Sequence, residues 1–283
     1  VILCTPLLIN AQVQIPTLDD LDHEIAMSSQ YDKQYEDVIR SVKKQLHAAK
    51  TLEARCELSD KLFNLYTSYS VDSAIVYAME KQKIAKAMGN QSKVNDAKLN
   101  LAYLLIRGGE LKDASDIINS IPRSEINQDL SFYYFSTRKT LYRTLADAAL
   151  IPSQRKQYKQ MEKLCNDSVV DNNQSPDIWS RAEQLVNRQQ YEQAKKILLD
   201  AYHHLKPGDR QTAFVSISLA DIYGREKNVE AQKQYLMAAA ISDIRNSVKE
   251  YLALQQLAMI LFEEGDTKRA YAYMDHAMND AVF

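Results

Sequence analysis

The strongest constraint on the fold is a set of alanines that recurs about every forty residues within helix-patterned sequence. The clearest members are Ala74, Ala114, Ala194, Ala231 and Ala270, with separations of 40, 80, 37 and 39 residues. The separation of 80 is two periods of 40, so it predicts one degenerate unit over residues 126–169. Such self-similarity indicates an array of stacked units rather than a single irregular core.

Each recurring alanine has a partner about twelve residues earlier, usually also small, as in Ala102, Ala182 and Ala258. Small residues on both helices of a hairpin let the two backbones approach closely, and each hairpin then needs a neighbour to cover its apolar face. The chain has only 6 Gly and 6 Pro among 283 residues, which disfavours a many-stranded fold. We therefore predict an all-α, right-handed superhelix of about six helical hairpins.

Three regions are expected along the chain. Residues 1–11 are apolar and end at a small residue, Ala11, which is typical of the back half of a secretory signal peptide, so we interpret them as its remnant. An N-terminal segment that docks on the body of the protein is the alternative. Residues 12–50 should form a long helix, and residues 51–283 the solenoid. If the chain is exported, Cys56 and Cys165 could form a disulfide, but buried free thiols are the simpler expectation.

No established catalytic or metal-binding spacing is found in the sequence. The adjacent pair His203–His204 cannot share one metal ion, because neighbouring helical residues point in different directions. The acidic residues Asp19, Asp20 and Asp22 suit the start of a helix better than a calcium loop. The 35 basic and 37 acidic residues give a net charge of −2, which disfavours direct nucleic-acid contact. We expect no enzyme activity, cofactor or metal, although a site assembled only in space stays open.

The repeat resembles the tetratricopeptide repeat (TPR) at its small positions. Residues 17–25, 66–74 and 270–283 carry a closer resemblance, to exported TPR proteins of Bacteroidetes. In that family the repeats are the periplasmic half of a membrane-anchored transcriptional regulator, followed by a transmembrane helix and a DNA-binding helix-turn-helix. Starch-utilisation regulators share this arrangement. The resemblance implies a periplasmic, non-catalytic sensor or protein-interaction domain, attached to the membrane only through a helix downstream.

The predicted concave face gives candidate binding positions, because each first helix of a hairpin should line it. A protein or peptide partner is expected there, and a carbohydrate-related signal is another candidate. The alternative function is a free-standing exported scaffold that assists assembly of an outer-membrane complex. The candidate binding residues are Tyr103, Arg107, Trp179, Glu183, Asn187, Tyr223, Gln255, Met259 and Glu263.

Overall fold

The computed structural model describes residues 16–172, 178–205 and 208–280, and it excludes the side chains of residues 170–172, 179, 180 and 187. The predicted signal-peptide remnant, residues 1–11, lies outside the described residues. The described chain is helical throughout and contains no strand. Its helices are α1 Leu18–Ala48, α2 Leu52–Tyr66, α3 Val71–Ala87, α4 Gln91–Arg107, α5 Leu111–Asn119, α6 Gln128–Ala148, α7 Pro152–Asn172, α8 Ile178–Asn187, α9 Tyr191–His204, α10 Gln211–Arg225, α11 Val229–Arg245, α12 Leu252–Glu264 and α13 Thr267–Asp280, with a 3₁₀ turn at Arg123–Glu125.

Helices α2 to α13 pack as six consecutive hairpins, α2/α3 to α12/α13. This confirms the prediction of an all-α, TPR-like superhelix of about six hairpins. Most alanines of the repeat are buried where the two helices of a hairpin meet: Ala114 and Ala194 have no exposed surface, and Ala182 retains only 1%. Ala231 is half-buried. No described helix combines the length and apolar character that crossing a bilayer requires.

The N-terminal helix α1 contacts both ends of the array. Its first half contributes Leu21 to the apolar cluster of α10 to α13, and its second half contributes Ile39 and Val42 to the cluster of α2 to α4. A capping box between Thr17 and Asp20 starts the helix, as the acidic residues at this position indicated. A helix of 31 residues is about 46 Å long, which is enough to reach from one end of the array to the other.

The loop between α11 and α12, residues 246–251, folds into the molecule instead of running over its surface. Val248, Lys249 and Tyr251 are all less than 10% exposed. Ser247 and Tyr251 adopt left-handed backbone conformations with φ of 51°. This conformation is unfavourable for residues other than glycine, so the surrounding contacts must hold the loop in place.

The close helix contact inside each hairpin gives a direct test of the register. Replacing Ala194 with tryptophan should lower the free energy of unfolding by about 3 kcal/mol, because the large ring must force α8 and α9 apart. Chemical denaturation followed by circular dichroism measures the change. Ala87→Trp, at an exposed position near the end of α3, is the control and should cost little. Equal stability of Ala194→Trp and the wild type would contradict the register.

Candidate functional site

A cavity of about 410 Å³ lies where α2, α4 and α6 meet the segment that precedes α10. We call it the central pocket. Residues spaced three or four apart lie on one face of a helix, so α2 and α4 each present a row of polar side chains to it. The residues that line the central pocket are Asp60, Phe63, Asn64, Thr67, Asp96, Asn100, Tyr103, Tyr133 and Arg210.

A buried lysine fixes the two carboxylates of the pocket. Lys81 on α3 is only 4% exposed, and its ammonium group donates hydrogen bonds to both Asp60 and Asp96. A buried charge requires such partners, since an isolated ammonium group would pay a large desolvation cost. The ion pairs hold α2, α3 and α4 together and keep both carboxylates at the wall of the pocket. Two carboxylates and the two cations Lys81 and Arg210 balance in charge, so the pocket has no net preference for an ion.

Two polar groups in the central pocket have no hydrogen-bond partner among the described residues. Asn100 is 4% exposed, yet its side-chain amide makes no hydrogen bond there and faces the cavity. The hydroxyl of Tyr133, a half-buried residue, also has no hydrogen-bond partner among the described residues, and desolvation raises its pKa, so the group remains a protonated donor. Both groups are open to the cavity and are not among the enclosed unpaired polar atoms of the described residues. Solvent can pair with them there, and a polar ligand can replace that solvent and supply the same bonds.

Tyr103 lines the pocket, and Arg107, one turn later on α4, lies beside it without lining it. The guanidinium group of Arg107 lies 5.6 Å from the centre of the Tyr103 ring and pairs with Glu250 at 2.7 Å. Arg210 donates a hydrogen bond of 3.2 Å to the hydroxyl of Ser68, in the turn between α2 and α3. The central pocket is therefore built from both halves of the chain.

The other predicted site residues are not collected in one groove. The side chains of Trp179 and Asn187 lie outside the described residues. Both oxygens of Glu183 accept hydrogen bonds of 2.8 Å from buried Lys139, which connects the third hairpin to the fourth. Tyr223 is stacked on Tyr235, with ring centres 5.5 Å apart.

Gln255 is half-buried, and Met259 and Glu263 are exposed at the end of the array, beside a smaller cleft between α12 and α13. A role in binding for these residues and for Glu183 and Tyr223 stays a prediction. Of the residues that line the central pocket, sequence reasoning found Tyr103 and missed the others, Asp96 and Asn100 among them. Asn100 lies one turn and Asp96 two turns before Tyr103 on the same face of α4, so the spacing of the polar residues could have revealed them.

The described residues contain no group of three or more side chains suited to hold a metal ion. Cys56 and Cys165 are buried free thiols, and burial raises the pKa of both, which makes them poor nucleophiles. His203 and His204 are exposed at the end of α9. These side chains suggest packing and solvent contact rather than chemistry.

Comparison with known families agrees with the repeat architecture. Residues 25–283 match the family described as the SusR N-terminal TPR domain. This match covers most of the chain. The protein belongs to that family. TPR domains are in general protein-interaction modules without catalytic activity, which agrees with a sensor or interaction role for this SusR-type domain. No individual curated protein matches the sequence at a significant level.

Proposed function

We propose that this SusR-type TPR domain is the ligand-sensing part of a membrane-bound transcriptional regulator, that it lies in the periplasm, and that its ligand binds in the central pocket. The observation that carries the proposal is a pair of polar groups at the cavity wall, the amide of buried Asn100 and the hydroxyl of half-buried Tyr133, which have no hydrogen-bond partner among the described residues. Family membership supports a sensor role. The pocket is lined by residues from both halves of the chain, which supports a change in the arrangement of the helices when a ligand binds.

The chemistry of the pocket favours a neutral ligand with many hydroxyl groups. Fixed acceptors are present at Asp60 and Asp96, donors at Arg210 and Tyr133, and both kinds at Asn100. Because charges are balanced, an ionic ligand would meet a repelling group as well as an attracting one. The rings of Tyr103 and Phe63 add an apolar surface of the kind that sugar rings pack against. We therefore propose an oligosaccharide as the ligand rather than an extended peptide.

Calorimetric titration of the whole chain with a panel of neutral oligosaccharides tests this proposal. We expect at least one to bind, and Asn100→Leu to weaken its binding tenfold or more, because the variant leaves a ligand hydroxyl unpaired in a buried site. Tyr133→Phe should weaken binding to a similar degree. The control is Asn119→Leu on the exposed surface of α5, which should bind as the wild type does. Undiminished binding by Asn100→Leu would place the ligand elsewhere.

The regulator proposal is separate from the choice of ligand. Reading the gene beyond the codon for Phe283 should reveal about 20 consecutive apolar residues and then a DNA-binding helix-turn-helix. A stop codon directly after this region would instead support the free-standing exported scaffold.

A further inference from the structure

The turn between α6 and α7 carries two adjacent apolar side chains that nothing in the described chain covers. Leu150 is 94% exposed and Ile151 52%, and every residue from 150 to 157 is exposed. Helices α6 and α7 have 21 residues each, whereas the two helices before them and the two after them have 9 to 17. The far end of this hairpin therefore extends beyond its neighbours. We call residues 149–152 the apolar tip.

The apolar tip is a short turn that its own contacts hold in place. Ala149 is buried, and its carbonyl accepts a hydrogen bond of 2.9 Å from the guanidinium group of Arg155. Pro152 begins α7, a position where its fixed φ and missing N–H suit a helix start. The two apolar side chains are thus held outward, so their transfer into another medium costs little ordering of the backbone.

Basic side chains follow the apolar tip along α7. Lys156, Lys159 and Lys163 recur at helical spacing and form one outward stripe, and Arg155 lies beside it. All four residues are exposed. No ion pair among the residues that the structure describes engages any of them. Their positive charges are therefore open to an external partner.

The acidic residues nearby offset this charge only in part. Residues 147–163 contain four basic and two acidic residues. One of the acids, Glu162, pairs with Arg143 at 2.8 Å. The other, Asp147, is exposed near the end of α6. The net positive charge attracts a negatively charged partner.

The order of the groups along the hairpin indicates which partner fits. Apolar side chains lie at the very end, and cations lie one turn and more behind them. A bilayer surface has the matching order, because its acyl chains lie beneath anionic headgroups. A bilayer also accepts a convex tip without a preformed cavity, which a protein partner would have to supply.

We propose that the apolar tip inserts into the surface of an anionic lipid bilayer, with the cations of α7 against the headgroups. The two contributions act together, since either one alone gives only weak binding. Along α7, Lys156 lies about 6 Å and Lys163 about 17 Å from Pro152. Exposed charges act over about 8 Å at physiological salt, so Lys156 should contribute more than Lys163. None of this depends on what the central pocket binds.

Co-sedimentation of the whole chain with lipid vesicles tests the proposal. The wild type should bind vesicles of phosphatidylcholine with about one-third phosphatidylglycerol at least tenfold more tightly than pure phosphatidylcholine, because each cation near an anionic surface contributes roughly fivefold. Leu150→Ser with Ile151→Ser should weaken binding about tenfold. Lys156→Gln with Lys159→Gln should weaken it tenfold or more, and Lys163→Gln by less than about threefold. The circular dichroism spectra should not change, since all these positions are exposed.

Helix α3 supplies matched controls, because it carries similar exposed residues along its side rather than at a turn. Val76→Ser with Met79→Ser alters two apolar side chains that are 59% and 57% exposed. Lys83→Gln with Lys86→Gln removes two exposed positive charges at the same spacing as Lys156 and Lys159. Both controls should bind vesicles as the wild type does. Equal losses in the α3 variants and the tip variants would overturn the proposal.

Fluorescence shows whether the tip enters the bilayer. The chain has one tryptophan, Trp179, so Leu150→Trp adds a second at the tip. We expect its emission to shift to the blue with anionic vesicles and to be quenched by brominated acyl chains, whereas the wild-type emission should not be quenched. A wild type that does not bind anionic vesicles contradicts the proposal. So does a Leu150→Trp variant that binds them without being quenched, because the contact would then be electrostatic adsorption alone.

Discussion

Replacing Lys249 with methionine is expected to lower the free energy of unfolding by about 3 kcal/mol. Lys249 lies in the α11–α12 loop, and its side chain is 6% exposed. Its ammonium group contacts Asp32 on α1 at 2.5 Å and also pairs with Asp280 on α13. Its backbone N–H donates a bond of 2.7 Å to the carbonyl of Ser68, in the α2–α3 turn. One residue therefore connects α1, the first hairpin and the last hairpin.

The large effect comes from what the substitution leaves behind. Without the lysine, the carboxylates of Asp32 and Asp280, which are 23% and 38% exposed, face each other with no cation between them. Uncompensated charge of this kind is more costly than the absence of the whole ion pair. The variant Lys249→Met with Asp32→Asn and Asp280→Asn should therefore recover much of the lost stability. Denaturant titration of the wild type and both variants measures the differences.

A matched control separates burial from pairing. Lys112 pairs with Asp116 on the surface of α5 at 2.8 Å, but its side chain is 87% exposed. Lys112→Met should change the stability by less than about 0.5 kcal/mol, because an exposed pair contributes little. If the two lysine variants lose the same stability, the α11–α12 loop does not hold the ends of the array together.

The contacts of this loop also explain how far the sequence could predict the fold. The hairpins follow from local pattern, since small residues such as Ala102, Ala114 and Ala258 recur at fixed spacing. Residues 246–251 contain neither glycine nor proline, so nothing local marks the sharp turn at Ser247 and Tyr251. Their left-handed conformation is maintained by partners that are distant in sequence, and single-sequence patterns carry no information about such partners.

The same reasoning applies to α1. Periodicity predicts its existence, but its position depends on pairs separated by more than 200 residues. Arg245 contacts Glu24 at 2.5 Å, and the Tyr273 hydroxyl donates a bond of 2.6 Å to Asp22. These contacts fix the first half of α1 against α11 and α13, which a pattern of hairpins in chain order cannot specify.

For the central pocket, the sequence could identify which residues share a helix face, but not which helices meet to form the pocket. Tyr103 is predictable because it lies on the face of α4 that the hairpin pattern places on the concave side. The sequence pattern by itself predicts that Lys81 lies on a solvated helix face, because a lysine among charged and polar neighbours is usually exposed. Its burial is determined by Asp60 and Asp96 on two other helices, so only the folded chain shows that it belongs to the site.

A single carboxyl group near the central pocket should make the stability depend on pH. Asp243, near the end of α11, has its pKa raised to about 7. The main cause is burial, and the negative charge of Glu250 adds to it, whereas the positive charge of Arg210 opposes it. Arg107 compensates part of the charge of Glu250, with which it pairs. In the unfolded chain the same group titrates near its ordinary pKa of 3.8.

The sign of the effect follows from the two pKa values. Between about pH 4 and pH 7 the folded protein keeps a proton that the unfolded chain releases, so the contribution of Asp243 to stability falls as the pH rises through this window. Asp243→Asn cannot ionise. Its stability should equal that of the wild type near pH 4 and exceed it by about 2–4 kcal/mol above pH 7.

Thermal unfolding of the wild type and Asp243→Asn from pH 4 to pH 8 isolates the contribution of Asp243 to stability. The other titrating groups are common to the two proteins, so their contributions cancel in the difference between the two stabilities. Asp221→Asn, at a half-exposed position on α10, should give a nearly constant difference over the same range. A difference for Asp243→Asn that does not grow with pH would mean that the carboxylate is already well solvated or paired.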